Sequence, residues 1–361
     1  MPSIVDYIKV HGGYKISRTA PFCELDAIVL SRFSYLPFHK IKLAEKETVA
    51  SIAKKMRNLK GKDFGWPEDV DYIEAMGFSD RFKNLKVTDL RSKSSKKITE
   101  QFLAITIHIN AFKLFISYNG TDNSLHGWRE DLNLALLDAI PAQISGVNYF
   151  KHIANKYPWK KIYLGGHSKG GNLAMYAAIV SPDFYQNRII AVYSQDAPGM
   201  SQKVIDKDTG VSVLPRITHF IPQDSVVGRL LNHAEKFEVI KSSAKNFWQH
   251  NIYSWEVDLT TKTLVRSKST KKSDFVDKTL DRWLQDANEE QKKEFANLLF
   301  KVLEDSKIGT PVDIGKAGVH AIPPLFKSYR SLPREERGII IDFVKKLLVT
   351  AYEVSRENKK G

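Results

Sequence analysis

The chain has 361 residues, of which 42% are hydrophobic and 27% charged, with a net charge of +14. That length supports a substantial buried core, and no apolar run approaches the about 18 residues a membrane-spanning helix needs. A lone cysteine, Cys23, excludes an internal disulfide framework and fits a reducing compartment. The first residues lack the charged start and apolar block of a secretory signal, so a cytoplasmic location is expected.

Taken in chain order, residues 1–95 read as mainly helical, with amphipathic candidates at 24–36 and 46–59. Two β-rich runs, 101–109 and 111–118, predict a hairpin. A turn-rich segment, "NGTDNSLHG" (119–127), precedes a helical stretch "WREDLNLALLDAI". From there strands and helices alternate: a helix ending near Tyr157, a strand at 161–165, a helix at 169–181, and strands at 188–194, 216–221 and 236–242. This alternation predicts an α/β domain with a mostly parallel sheet flanked by helices. From about 273 the pattern turns helical, giving two expected units, 1–265 and a C-terminal helical extension at 273–361.

The positive charge is dispersed, with knots at "SKSSKK" (92–97) and "SKSTKK" (267–272). A solvated surface is the simpler reading, and weak attraction to an anionic membrane surface is the alternative. No zinc-finger spacing, helix-turn-helix pattern or RNA-binding aromatic signature is present, so no nucleic-acid partner is expected. No H-E-x-x-H or cysteine cluster calls for a metal, and no cofactor is expected.

Gly166-His167-Ser168-Lys169-Gly170 matches G-x-S-x-G, between a strand-like "KIYLG" and a helix-like "NLAMYAAIV". A strand that bends abruptly into a helix presses the residues two before and two after the bend against backbone, so glycine suits both positions. The bend would expose the Ser168 hydroxyl beside helix N-terminal amides, whose partial positive charge suits an oxyanion. A phosphate loop is a poor fit, because no Ser or Thr follows a Gly-Lys pair.

A serine hydroxyl needs a base, and the base an orienting acid, in the chain order Ser, Asp/Glu, His. His250 in "NFWQHNIYSW" is the favoured base over His219, His233 and His320, since a loop there could fold over the serine. Asp224 in "FIPQDSVVG" is the favoured acid, with Asp196 in "YSQDAPG" the alternative; Asp206 and Asp208 read as an exposed turn. Oxyanion donors are expected from the Lys169 N–H and from Thr121, beside Gly120. Val226, Val227, Leu230, Leu231, Phe247 and Trp248 either line an acyl groove or lid or belong to the core, core being the simpler assignment.

"ISYNGTDNSLHGWREDL" with "LGGHSKGGNLAMYAA" resembles the class 3 lipases of the α/β-hydrolase superfamily. A closer similarity is to the bacterial Mbeg1-like family, a lipase-like group, carried in order by "DAIVLSRFSYLPF", "GHSKGGNLA", "DAPG", "SVVGRLL" and "QHNIYSW" over roughly 4 to 258. The resemblance implies Ser168 as nucleophile, Asp224 as acid, His250 as base, and Thr121 with the Lys169 amide as the oxyanion hole. Asn119 departs from the arginine common there in class 3 lipases. The expected activity is hydrolysis of a carboxylic ester, small or lipidic. A thioesterase or peptidase with the same triad, and a non-catalytic binding protein, are the alternatives.

Overall fold

In a computed structural model, the structure describes residues 1–95, 99–121, 127, 129–130, 133–134, 139–205, 211–308, 313–314 and 317–358, and their side chains except Phe247 and Glu289. Helix α1 (Ile4–His11) starts where Ser3 Oγ accepts the Val5 N–H and Asp6 reaches back to the Ser3 backbone. Helix α2 (Glu24–Phe33) is buried from Leu25 to Phe33, a helix apolar enough to sit inside the molecule. The amphipathic stretch at 46–59 becomes a helix only from Val49: Thr48 Oγ1 caps α3 (Val49–Met56), and Lys46–Thr48 form strand β1. Helix α4 (Asp69–Phe78) completes the group.

Strand β2 (Lys86–Ser95) corrects the expectation of a helical N-terminal region. Its outer half is exposed and polar, and a bulge lies between Thr88 and Arg91, so no period-2 apolar pattern marks it. The rest of the first lysine knot, Lys96 and Lys97, lies outside the described residues.

Among the described residues the main sheet has eight strands, in spatial order β1 to β8. Strands β3 (Glu100–His108) and β4 (Lys113–Tyr118) form the expected hairpin, and β1 to β4 pair antiparallel. Strands β4, β5 (Lys161–His167), β6 (Ile189–Gln195), β7 (Ile217–Pro222) and β8 (Phe237–Ile240) run parallel. Helix α5 (Pro141–Lys156) precedes β5, α6 (Lys169–Val180) and the short α7 (Asp183–Gln186) link β5 to β6, and α8 (Gln202–Ile205) follows β6. One face of the sheet packs on α1–α4 and Trp255, the other on α5 and α6. The carboxyl ends of β5, β6 and β7 therefore lie along one edge, where parallel α/β sheets bind ligands. Described residues of the expected helix at 128–140 are few, and Trp128 lies outside them.

The C-terminal region is helical as expected: α9 (Lys271–Gln285), α10 (Glu289–Ser306), α11 (Ile322–Ser331) and α12 (Arg334–Asn358). Trp283, Phe295 and Phe343 pack as an aromatic centre, with Phe295 stacked on Phe343 at 4.5 Å. Helix α9 is tied to the sheet edge: Ser273 Oγ donates to Ser225 O at 2.8 Å, and Arg229 pairs with Asp277 at 3.0 Å. Among the described residues no helix is long and apolar enough to cross a membrane.

Candidate active site

Ser168 ends β5 and caps α6 with φ 54° and ψ −133°, a left-handed-side backbone that a non-glycine residue adopts only under constraint. The constraint is visible on both sides. A Cβ at Gly166 would stand 2.3 Å from the Gly170 carbonyl, and one at Gly170 would stand 2.3 Å from the Tyr118 carbonyl oxygen. Neither residue could be anything larger. The Ser168 N–H donates to Gln195 O at 2.8 Å, so the bend is fastened to the end of β6.

Lys169 opens α6, leaving its N–H among those without an intrahelical acceptor. Its side chain has another role. The ammonium is buried and donates to Glu130 Oε2 at 2.5 Å and to Gln101 O at 3.2 Å. Gly120 lies against the His167 carbonyl and the Tyr35 hydroxyl, which places the half-buried Thr121 directly after a segment in contact with the bend. Residues 122–126 of the expected oxyanion loop lie outside the described residues, as do Asp206 and Asp208.

His250 Nδ1–H donates to Asp196 Oδ2 at 2.6 Å, so the carboxylate that meets its ring is that of Asp196 and not that of the favoured Asp224. Asp196 sits immediately after β6 with φ 45°, its N–H donating to Phe220 O at 2.8 Å. Its other carboxylate oxygen accepts from Ser225 Oγ and from the Gly228 N–H at 3.1 Å. A Cβ at Gly228 would fall 2.4 Å from that oxygen, so "SVVG" holds the Asp196 carboxylate. The carboxylate accepts the hydrogen bond from Nδ1–H, which keeps the proton on Nδ1 and leaves Nε2 as the basic nitrogen.

Asp224 stands one strand further on and meets the preceding residue instead. Its Oδ2 accepts from Gln249 Nε2 at 2.9 Å, its N–H donates to Gln249 Oε1 at 3.0 Å, and its Oδ1 accepts from Thr270 Oγ1 at 2.5 Å. Asp224 thus anchors the loop that carries His250 and the start of α9.

His167 joins the two halves. Its Nε2–H donates to the His250 carbonyl at 2.8 Å, the two rings lie 4.4 Å apart, and Tyr35 Oη donates to the His167 carbonyl at 2.7 Å. Burial, with the nearby His250 and Arg32, holds the His167 imidazole well below its usual range, so it stays neutral. Behind Tyr35, the Arg32 guanidinium lies 4.7 Å over its ring and makes a fully buried two-point pair with Asp69. The N-terminal helices therefore brace the bend from below.

Two further groups surround the bend: Asn172 carried no expectation from the sequence, and His219, weighed there as a base, is instead buried and paired. Asn172 accepts from Gln143 and donates to the carbonyls of Pro198 and Gly199 at 3.1 and 2.7 Å, tying α6 to the "DAPG" loop; its signal is the polar residue inside an otherwise apolar "GGNLAMYAA". His219, His233 and Glu235 bring three ligand-type atoms within 4.8 Å of one another. The Ala197 N–H donates to His219 Nε2 at 3.3 Å, so His219 Nδ1 carries the proton and donates to Glu235 at 3.0 Å. A metal at Nδ1 would have to displace that proton, and with Nε2 already accepting from Ala197 the ring would keep none. The group instead holds Ala197 in place beside Asp196. Burial lowers the His219 pKa, with Glu235 opposing. His233 also bonds Glu235, and His320 is exposed in the C-terminal helices.

The core assignment for the residues near 225–248 holds for Leu231, which packs against the core on the α5–α6 face. Val226, Val227, Leu230 and Leu231 are half-buried and Trp248 is 52% exposed, while the side chain of Phe247 lies outside those described.

A mostly parallel sheet with helices on both faces, and a strained serine between strand and helix at its carboxyl edge, define the α/β-hydrolase fold. The chain belongs to the Mbeg1-like family, whose profile matches residues 76–301, more than half its length. The chain is similar to the Rhizomucor miehei lipase in its propeptide complex, at 18% identity over 46% of this chain and 58% of that one, TM-score 0.33. It is also similar to the lipase from Rhizopus microsporus var. chinensis, at 16% identity over 47% and 64%, TM-score 0.32. The Lip2 lipase from Yarrowia lipolytica matches at 12% identity over 52% and 72%, TM-score 0.31. The chain thus spans less than two thirds of the first two of these proteins. No curated protein sequence matches it.

Proposed function

We propose that the protein is a serine hydrolase of carboxylic esters that works through Ser168, His250 and Asp196. The observation that carries the reading is the Asp196–His250 hydrogen bond at 2.6 Å, formed beside a serine with φ 54°. His250 Nε2 takes the Ser168 proton as Oγ attacks the ester carbonyl. The Lys169 N–H and Thr121 hold the oxyanion, each such donor contributing about 3–4 kcal/mol to the transition state. His250 then returns the proton to the leaving alcohol and activates the water that frees the acyl group. The half-buried Val226, Val227 and Leu230 and the exposed Trp248 stand near Asp224 and His250 in the chain, and we assign them to an acyl-facing surface. That favours esters with an aliphatic chain.

A fluorophosphonate probe tests the reading. Wild type is expected to be labelled and to turn over p-nitrophenyl acyl esters; Ser168→Ala is expected to do neither. A folded wild type that resists the probe and all esters, thioesters and amides overturns it in favour of a binding protein.

A further inference from the structure

Helix α12 carries apolar side chains on two opposite sides. Phe343, Thr350 and Val354 are buried against the neighbouring helices. On the far side Ile341, Val344, Leu348 and Tyr352 are 41, 44, 64 and 64% exposed. At 3.6 residues per turn, Ile341, Leu348 and Tyr352 fall within about 20° of one line along the helix, with Val344 about 60° to one side. A soluble helix ordinarily turns charged residues to that side.

The charges are sorted as well. Arg334, Arg337, Lys345 and Arg356 all fall within about 60° of the apolar line, whereas Glu335, Glu336, Asp342, Glu353 and Glu357 lie about 100° or more away. Two of those acids are engaged with other helices: Glu336 pairs with Lys301 and Glu357 with Arg282, both at 2.9 Å. Among the described residues no ion pair neutralises the four cations, and Arg356 lies 5.9 Å over the Tyr352 ring. The outward side is therefore apolar and purely cationic.

The preceding helix repeats the arrangement. Val319, Ile322 and Phe326, spaced by three and four, are 73, 62 and 52% exposed. Arg330 accompanies them, 4.9 Å over the Phe326 ring, and no acidic residue occurs from 318 to 333.

We infer that the outward side of α12 forms a docking surface for an anionic lipid bilayer, with Ile341, Leu348 and Tyr352 entering the acyl boundary and Arg334, Arg337, Lys345 and Arg356 meeting the headgroups. Apolar side chains flanked by cations are what an interfacial helix presents to acidic lipid. A second copy of the chain is the competing occupant, and charge argues against it: a two-fold pairing through this side would bring two cationic faces together with no acid on either to offset them. The inference stands without the hydrolase reading, since binding is read without turnover.

Flotation of the full-length Ser168→Ala protein with vesicles tests it, since no lipid is then consumed. Binding is expected to phosphatidylcholine vesicles mixed equally with phosphatidylglycerol, at least about 10-fold above phosphatidylcholine alone, and to fall with added salt. Leu348→Glu/Tyr352→Glu and, separately, Lys345→Glu/Arg356→Glu are each expected to lower that binding about 10-fold or more with an unchanged melting temperature. Equal binding to both vesicle types, no binding to either, or binding that survives both double variants overturns the inference. So does a wild-type dimer that Leu348→Glu/Tyr352→Glu converts to monomer.

Discussion

Asp196 after β6 and Asp224 after β7 each end a parallel strand at the same sheet edge, and each is held by several hydrogen bonds, yet only one meets an imidazole. The difference lies in strand order. β6 is the immediate neighbour of the β5 strand that carries Ser168, and the Ser168 N–H is bonded to Gln195, the residue before Asp196. β7 is one strand further out, so the residue at its end reaches Gln249 and Thr270 and anchors the loop rather than the ring. Two loops of similar composition thus act on different parts of His250: the first orients its ring, and the second holds the segment on which it rides.

Substitutions can break this comparison, beginning with the largest effect. Asp196→Asn keeps the shape of the side chain but reverses its preference for the Nδ1 proton, so ester turnover is expected to fall roughly 10³–10⁴-fold with a nearly native melting temperature. A loss under tenfold in a folded protein would remove Asp196 from the triad. Next comes the side chain of Lys169, buried on Glu130 at the same bend. Lys169→Met removes the cation paired with a buried carboxylate and is expected to cost about 3–5 kcal/mol in urea unfolding, partly regained with Glu130→Gln, while the backbone donor stays in place. A fall in turnover per folded molecule without that stability loss would give the ammonium a chemical role instead.

Acidification sharpens the comparison differently. His167 and His219, which flank the Asp196 loop, have imidazoles depressed by burial. The unfolded chain takes up those protons near pH 6.5 and the folded chain only at lower pH, so stability is complete above that value. Below it, stability falls by at most about 1.4 kcal/mol per pH unit for each histidine. Urea unfolding between pH 7.5 and 5 reads the slope, and a flat profile would mean that neither ring is neutral by burial. The smallest effect is expected from Asp224→Asn. It weakens two hydrogen bonds worth about 1 kcal/mol each, lowering the melting temperature by a few degrees and turnover less than about tenfold.

How far the sequence could be read follows from which interactions are local. The bend around Ser168 is local: its glycines, its strand and its helix sit in one stretch, so pattern alone locates them. The hairpin of β3 and β4 and the C-terminal helices carry their periodicity openly. Strand β2 does not, because its outer half is solvent-exposed and its partner supplies the register. Which aspartate meets His250 was not legible for a related reason. "SQDAPG" and "IPQDSVVG" both present an aspartate after a strand, and only the spatial order of β5, β6 and β7 separates them. The Lys169–Glu130 pair was equally hidden, since a lysine inside a serine motif invites a chemical reading and its partner lies 39 positions away.

The assignment of Asp196 as the orienting acid is tested most directly by the second-order rate of fluorophosphonate labelling, measured side by side in Asp196→Asn and Asp224→Asn. Labelling slowed by two orders of magnitude or more in the first and near wild type in the second is the expected result. The reverse order would contradict it.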